Sequence, residues 1–266
     1  MEMKRSVFGV VRASLLGGVA AIALTSAGYA ADLGGGMKDM PAAEPERELK
    51  FSANGGLTSD YVFRGISQSD ENASVSAGVE ASYGMFYAGF WGASVDDFVS
   101  DGNLELDLYG GIRKSWNGID LDVGVIYYSY PNNHLDLNPE YVEIKASASG
   151  KIWSDLTAKG TVYWSPDYAG ESGSTWTFEG TLTKPLPIWD LSLSGSLGYV
   201  TSADDNFNFS SVYGDDNYTY WNIGLSKTFR EHFTVDLRYW GTNVDDGFDA
   251  SKLAGNRVVG SLNFTY

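Results

Sequence analysis

Apolar and polar residues alternate with a period of two from Leu49 to the C terminus. Because successive side chains of a β-strand point to opposite faces, this alternation predicts strands with one apolar and one polar face. Residues 190–200 show the pattern well, with leucine, glycine and tyrosine on one face and mostly serine on the other. Twelve strands are predicted near residues 49–64, 73–83, 86–95, 104–115, 119–130, 140–150, 155–165, 175–184, 190–201, 218–229, 232–241 and 255–266.

The connections between these strands alternate in length. After each even-numbered strand the link is short, as at Gly84-Met85 and Asn117-Gly118, and an Asn-Gly pair favours a two-residue hairpin turn. After each odd-numbered strand the link is longer and polar, and 202–217 is the longest. Short turns at one end and long loops at the other are typical of outer-membrane barrels. The predicted fold is therefore all-β: a closed antiparallel up-and-down transmembrane β-barrel of about 12 strands, with short periplasmic turns and long acidic outer loops.

Aromatic residues recur where the predicted strands end. Since aromatic rings favour the boundary between hydrocarbon and headgroups, they predict one girdle at each end of the barrel. The girdle at the loop end comprises Tyr61-Val62-Phe63, Phe90-Trp91, Tyr127-Tyr128, Tyr163-Trp164, Tyr199 and Tyr239-Trp240. The girdle at the turn end comprises Tyr83, Trp116, Trp153, Trp189 and Phe229.

The N terminus has the features of an export signal. A basic start with Lys4 and Arg5 precedes an apolar run at 13–27 and small residues up to Ala30, which predicts a signal peptide over 1–30 with cleavage between Ala30 and Ala31. The apolar run is shorter than the ~20 residues that a membrane-spanning helix needs. Residues 31–47 lack periodicity and predict a flexible periplasmic lead-in, and 48–266 predict the barrel. The expected location is the bacterial outer membrane.

Charge narrows the function classes. The chain has 18 Lys and Arg against 34 Asp and Glu, for a net charge of −16, and it has no cysteine. An acidic excess of this size argues against nucleic-acid binding and fits a surface that attracts cations. No disulfide is available to stabilise the exported chain, so barrel closure is expected to supply stability. No cofactor is predicted, and no apolar run after residue 30 is long enough for a spanning helix.

The last predicted strand ends on an aromatic residue. Gly260, Leu262, Phe264 and Tyr266 share one face of it. A terminal strand of this kind resembles the signal by which the barrel-assembly machinery recognises outer-membrane barrels. The expected partners are that machinery, outer-membrane lipid and lipopolysaccharide, and the oligomeric state stays open.

Four segments resemble a known family. Residues 52–69 (SANGGLTSDYVFRGISQS), 86–92 (FYAGFWG), 105–111 (ELDLYGG) and 122–128 (DVGVIYY) are similar to the TorF family of proteobacterial porins. The resemblance covers about residues 50–131, and the rest agrees in pattern and length. It implies an outer-membrane barrel with a pore, leaves the substrate unassigned and brings no catalytic motif.

The polar faces of the strands are expected to line the lumen, because a basic side chain facing mid-membrane hydrocarbon costs about 2–4 kcal/mol. Asp60 and Arg64 are expected near the outer mouth. Eight acids and four bases predict a cation-favouring lining, and about twelve strands predict a narrow conduit. The predicted lumen-lining residues are Glu80, Glu105, Asp107, Asp120, Asp122, Glu143, Lys145, Lys159, Glu179, Asp236, Arg238 and Arg257.

Several alternatives stay open. Acids and bases can pair across the lumen and hold a plugged interior, and a non-conducting barrel can act through its loops as a structural or adhesin-like element. A soluble lipocalin-like barrel predicts an apolar interior. An outer-membrane hydrolase needs a serine beside a base, but His134 and His232 are predicted at opposite ends. No metal site is predicted, since the best acidic loop, 245–249, lacks the distal glutamate of a calcium loop.

Overall fold

The computed structural model describes residues 48–97, 99–134, 138–203, 209–210, 213, 215–244 and 251–266. The predicted signal peptide, its cleavage site at Ala30 and Ala31, and the lead-in at 31–47 lie outside the described residues. The same holds for Asp204-Asp205 and for the acidic segment 245–249.

Twelve strands close into one antiparallel barrel in which chain neighbours pair in order. The prediction of such a barrel is confirmed. Two further short strands, β2 (Val62–Phe63) and β3 (Ile66–Ser67), form a separate pair, so the labels β1–β14 follow chain order. The barrel strands are β1 (Leu49–Thr58), β4 (Ser74–Tyr83), β5 (Phe86–Ser94), β6 (Leu104–Trp116), β7 (Ile119–Ser129), β8 (Tyr141–Trp153), β9 (Leu156–Ser165), β10 (Thr175–Pro185), β11 (Ser192–Ser202), β12 (Asn217–Phe229), β13 (Phe233–Thr242) and β14 (Arg257–Thr265).

The barrel closes between its first and last strands. β1 pairs with β4 on one side and with β14 on the other, and the closing register runs from Asn54 opposite Thr265 to Thr58 opposite Ser261. Tyr266 extends this seam, since its backbone N–H donates to the carbonyl of Ala53 at 2.8 Å. Closure removes the free strand edges that would otherwise pair with other chains.

The outer face of the barrel is apolar. On β7, Val123 and Val125 are 56% and 49% exposed. Gly124, which lies between them, and Tyr128, which lies further along the strand, are buried. On β10, Phe178 is exposed and its neighbour Thr177 is buried. This arrangement is the reverse of a lipocalin-like barrel, which has its apolar side chains inside.

The two ends of the barrel use their aromatic residues differently. We call the end with short connections the turn end and the other the loop end. At the turn end the predicted girdle residues, such as Trp116, Trp153 and Trp189, are all exposed. At the loop end the prediction of a single girdle is wrong, because adjacent strand residues point to opposite faces. Phe90, Tyr127, Tyr199 and Tyr239 are exposed, but Tyr61, Phe63, Trp91, Tyr128 and Tyr163 are buried inside.

The first predicted strand is too long. β1 ends at Thr58, and the chain then enters the lumen as a hairpin formed by β2 (Val62–Phe63) and β3 (Ile66–Ser67). Arg64 (φ 46°) and Gly65 (φ 85°) form its two-residue turn, which needs a positive φ at both positions. A Cβ at Gly65 would lie 2.3 Å from Cγ2 of Thr242 on β13. The hairpin therefore crosses the lumen, and we call residues 59–73 the plug.

The buried core lies inside the loop end, where the plug packs against strands and loops. A one-turn helix, Ser251–Ala254, was not predicted and adds Leu253 and Ala254 to this core. Among the described residues, no helix is long and apolar enough to cross a membrane. The core comprises Tyr61, Phe63, Ile66, Trp91, Ala93, Val95, Val99, Tyr128, Tyr130, Tyr141, Tyr168, Ala169, Val200, Phe209, Tyr213, Tyr218, Tyr220, Leu253 and Ala254.

Candidate functional site

The predicted lumen-lining residues occupy the inner face of the barrel, in two separate zones. Glu80, Glu105, Asp107 and Glu143 are buried, whereas Asp120 is exposed at the turn end beside Ser115. The remaining positions are half-buried: Asp122, Lys145, Lys159, Glu179, Asp236, Arg238 and Arg257.

The tip of the plug places a cation against the wall of the barrel. Arg64 donates from Nη1 and Nη2 to the two carboxylate oxygens of Glu143 on β8, at 2.8 and 3.0 Å. The Arg64 guanidinium lies 4.5 Å from the ring centroid of Phe63 and 4.7 Å from that of Tyr163. Tyr128 donates a further hydrogen bond to Glu143 at 2.9 Å. This ion pair is bidentate, ring-covered and nearly free of solvent.

Burial and charge together set the protonation of the groups at the plug tip. Burial alone lowers the pKa of Arg64, but the Glu143 carboxylate outweighs it and the pKa lies above the usual arginine range. Burial raises the pKa of the Tyr168 hydroxyl to about 12. The guanidinium therefore stays charged and the hydroxyl stays neutral at physiological pH.

Two further carboxylates lie on the inner face of β6, beside the plug. Glu105 accepts hydrogen bonds from the hydroxyls of Tyr61 at 2.7 Å and Tyr130 at 3.0 Å. Asp107 is 1% exposed, and neither of its carboxylate oxygens has a hydrogen-bond partner among the described residues. Trp91 and Tyr128 flank Asp107 on the neighbouring strands. The loop-end wall thus holds an unsatisfied acid.

We expect Asp107→Leu to stabilise the protein, because a buried carboxylate without partners costs free energy that an apolar side chain of similar size does not. The expected gain is about 1–3 kcal/mol in the free energy of unfolding. Denaturant unfolding of the full chain in detergent measures it. Asp236→Leu is the matched control, since it breaks the ion pair with Arg238 and should be destabilising. A loss of stability in Asp107→Leu contradicts the prediction.

The base of the plug is anchored to the last strand. Asp60 accepts hydrogen bonds from Ser67 at 2.6 Å and Ser69 at 3.1 Å, and it pairs with Arg257 on β14 at 2.8 Å. Arg257 also lies 3.7 Å from a carboxylate oxygen of Glu71. Sequence reasoning had placed Asp60 and Arg64 at the mouth, whereas both are buried inside the barrel.

A second charged network lines the wall formed by β4 to β8, nearer the turn end. Arg113 donates to both carboxylate oxygens of Glu80, at 2.6 and 3.0 Å, and its Nε lies 3.3 Å from Asp122. Asp122 also accepts hydrogen bonds from Lys145 at 3.1 Å and from the Tyr87 hydroxyl at 2.7 Å. Acids and bases therefore pair with each other along this wall, and pairing across the lumen stays one of the open alternatives.

The remaining predicted residues lie on the opposite wall. Arg238 pairs with Asp236 at 2.9 Å and donates to Ser194 at 2.8 Å. Glu179 accepts a hydrogen bond from Tyr220 at 2.8 Å. Lys159 is half-buried, and within the described part of the chain no acid lies in ion-pair contact with its ammonium.

Sequence reasoning missed one central base and most of the buried tyrosines. Arg113 faces inward two residues before the predicted strand end, and the period of two from Asp107 and Tyr109 was the signal that pointed to it. Two of the buried tyrosines, Tyr128 and Tyr163, belong to aromatic pairs of which both members were assigned to the girdle. Alternation within each pair was the available signal.

The other candidate sites lie away from the lumen. His134 contacts Asp101 in a loop, and His232 contacts the backbone carbonyl of Thr265 at the turn end, so the two histidines do not partner a serine. In the part of the chain that is described, no group of three or more His, Cys, Asp or Glu is placed to hold a metal ion. The predicted assembly-signal residues Gly260, Leu262, Phe264 and Tyr266 lie on the outer face of β14 or just past its end.

The barrel is similar in fold to solved porins. The structure titled "KdgM porin" has a TM-score of 0.53 at 9% identity and covers 81% of this chain and 98% of that chain. A NanC porin has a TM-score of 0.52 at 10% identity, with 81% and 98% covered. A KdgM porin in complex with disordered oligogalacturonate has a TM-score of 0.51 at 8% identity, with 81% and 97% covered. No curated protein matches the sequence.

The family of the chain follows from its sequence. Residues 42–263 match the Gcw_chp family, which is described as "Bacterial protein of unknown function". This range includes the plug and the twelve barrel strands except for the last two residues of β14. The resemblance to TorF porins stays a prediction beside this match. The chain belongs to the Gcw_chp family of bacterial proteins.

Proposed function

We propose that this protein is a narrow channel of the bacterial outer membrane that passes small hydrophilic solutes and favours cations. The observation that carries the proposal is the division of a closed barrel into an apolar outer face and a charged inner face. On β6, Leu108 is 50% exposed on the outside while Asp107 points inward. An exposed apolar surface around a closed barrel suits hydrocarbon, and closure pairs the backbone groups that lipid cannot satisfy.

The direction of the barrel follows from its connections. Short turns usually face the periplasm and long loops face outward. The exposed tryptophans at the turn end suit the periplasmic boundary of the outer membrane. The pairing of β14 with β1 at the seam suits a chain whose last strand is recognised by the assembly machinery. Outer-membrane lipid and lipopolysaccharide are then the expected surroundings.

The inner face of the turn-end half is polar. Ser147, Ser149, Thr181 and Ser194 are half-buried there, and the ion pairs around Arg113 belong to the same half. The plug fills the loop-end half with buried side chains. We therefore expect the whole chain to pass a small current and a chain without the plug hairpin to pass a larger one.

The preference for cations is supported most by the loop-end wall. Glu105, Asp107 and Glu143 line it, and Arg64 of the plug pairs with Glu143. In the turn-end half, Arg113 adds a fifth base to the four predicted ones and reduces the acidic excess there. Acidic linings favour cations, so selectivity is expected to arise near the loop end.

Planar-bilayer recording tests the proposal. The full chain is compared with a variant in which residues 61–68 are replaced by a short Gly-Ser link. We expect steady conductance from the variant, a smaller conductance from the full chain, and a cation-selective reversal potential under a salt gradient. A correctly folded variant that never conducts overturns the channel proposal, and an anion-selective reversal potential overturns the preference for cations.

A second candidate is a non-conducting barrel with a structural or adhesin-like role. The packed, nearly solvent-free loop end favours it, since Tyr128, Val200 and Phe209 there are completely buried. The same recordings separate the two candidates, because a barrel of this second kind stays silent with or without its plug hairpin.

A further inference from the structure

We infer that the barrel wall contains a binding site for a small organic cation of the guanidinium class, and that Arg64 of the plug occupies this site in the closed barrel. We call it the wall site and define it by Glu143, Tyr163 and Tyr128. The inference deepens the proposed channel function. One consequence rests on that function: cations that enter the channel from the loop end meet this site.

The wall site matches a guanidinium in shape as well as in charge. Glu143 offers both carboxylate oxygens to the two Nη atoms of Arg64, at 2.8 and 3.0 Å, which is the planar fork geometry of a guanidinium with a carboxylate. The ring of Tyr163 covers the cation at 4.7 Å from its centroid. A compact ammonium or metal ion has no planar fork, so it cannot make the same two parallel hydrogen bonds to Glu143 while its flat face lies under the ring of Tyr163.

The groups that recognise the cation belong to the barrel, and the cation belongs to the plug. Glu143 and Tyr163 lie on the neighbouring strands β8 and β9, and Tyr128 lies on β7. Arg64, which precedes Glu143 by 79 residues in sequence, reaches them from the tip of the plug hairpin. Withdrawal of the plug therefore removes the guanidinium and leaves its binding site in place on the wall.

Asp107 and Glu105 lie beside the wall site on the inner face of β6. The side chain of Asp107 is almost fully buried, has no hydrogen-bond partner among the described residues, and lies opposite Tyr128 in the register of β6 and β7. Of these acids and Glu143, it is Glu143 that pairs with Arg64. The recognition of a guanidinium therefore rests on Glu143 and on the aromatic ring of Tyr163.

The arrangement makes Arg64 a tethered competitor of free cations. When Arg64 is bound, the hairpin fills the loop-end lumen, and its tip packs against Thr242 and Tyr220 on the far wall. A free guanidinium that takes the place of Arg64 removes the contact that holds the tip. The plug and an incoming organic cation therefore exclude each other at one site.

Chemical rescue tests this inference in the full chain. In Arg64→Ala we expect millimolar guanidinium chloride, well below denaturing concentrations, to raise the thermal unfolding midpoint and to block the channel current. Sodium chloride at equal ionic strength is the control for screening. In the double variant Arg64→Ala/Glu143→Gln the apparent affinity for guanidinium should fall by on the order of tenfold, because one charge-assisted fork is lost.

The outcomes separate the wall site from the channel. A midpoint that rises equally with sodium and guanidinium, or equally in the single and double variants, overturns the wall site whatever the recordings show. If guanidinium but not sodium raises the unfolding midpoint, and chains with and without the plug hairpin both pass no current, the result supports the wall site and contradicts the channel. Arg64→Gln, which keeps most of the side-chain volume, replaces Arg64→Ala if the latter does not fold.

Discussion

Glu143→Ala is expected to release the plug from the lumen. The substitution leaves the Arg64 guanidinium buried without its carboxylate, and breaking a buried ion pair on one side costs about 3–5 kcal/mol. The barrel keeps its strand pairing, so the hairpin can avoid this cost by moving Arg64 into water. We therefore expect trypsin to cut the full-length variant after Arg64 much faster than it cuts the unmodified protein, as measured by mass spectrometry of the fragments.

The control for this result is Asp236→Ala, which breaks the half-buried pair with Arg238 on the other wall. It removes a lumen carboxylate without touching the plug, so cleavage after Arg64 should stay slow. If Arg64 remains as protected in Glu143→Ala as in Asp236→Ala, the Glu143 contact does not hold the plug in place.

Gly65→Ala is expected to loosen the tip of the plug. Gly65 has a φ of 85°, and a Cβ there would lie 2.3 Å from Cγ2 of Thr242 and 2.9 Å from Cβ of Tyr220. The left-handed backbone costs a side chain about 1–2 kcal/mol, and overpacking adds about 1–3 kcal/mol. Hydrogen exchange should report the change, because the Gln68 amide donates to the Tyr61 carbonyl within the plug at 2.6 Å.

Gly118→Ala separates the two causes. Gly118 has a φ of 77° in the turn between β6 and β7, and a Cβ there would meet nothing within 4 Å. Gly118→Ala therefore has the free-energy cost of a side chain at positive φ without a steric clash. Gly118 lies at the turn end, far from the plug in sequence. If the plug amides exchange hydrogen at the same rate in Gly65→Ala and Gly118→Ala, the tip of the plug is not packed against Thr242 and Tyr220.

The two predictions concern the same segment that carried the family resemblance. Residues 52–69 were expected to be a strand followed by a polar loop, yet 60–69 include the hairpin that fills the lumen. If the barrel conducts, residues 60–69, which belong to a segment that carried the family resemblance, also control the entry of solutes into the lumen. Both variants are expected to leave the strand pairing of the barrel intact, which makes them direct probes of the plug.

The sequence by itself determined the barrel. A period of two, repeated between turns such as Asn117-Gly118, predicts a series of antiparallel strands, each with one apolar and one polar face. It also grouped Glu80, Glu105, Asp122 and Glu143 on the polar faces, which lie inside the barrel. These are local properties, and local pattern is enough to fix them.

The tertiary structure alone decided what fills the lumen. Arg64-Gly65 is not a strong turn signal, and its partner Glu143 is 79 residues away, so neither the hairpin nor the ion pair follows from local pattern. The same is true of Arg113 with Glu80 and of Tyr61 and Tyr130 with Glu105. Whether a charged side chain meets water, lipid or an opposite charge depends on strands that closure brings together, and closure is a property of the whole chain.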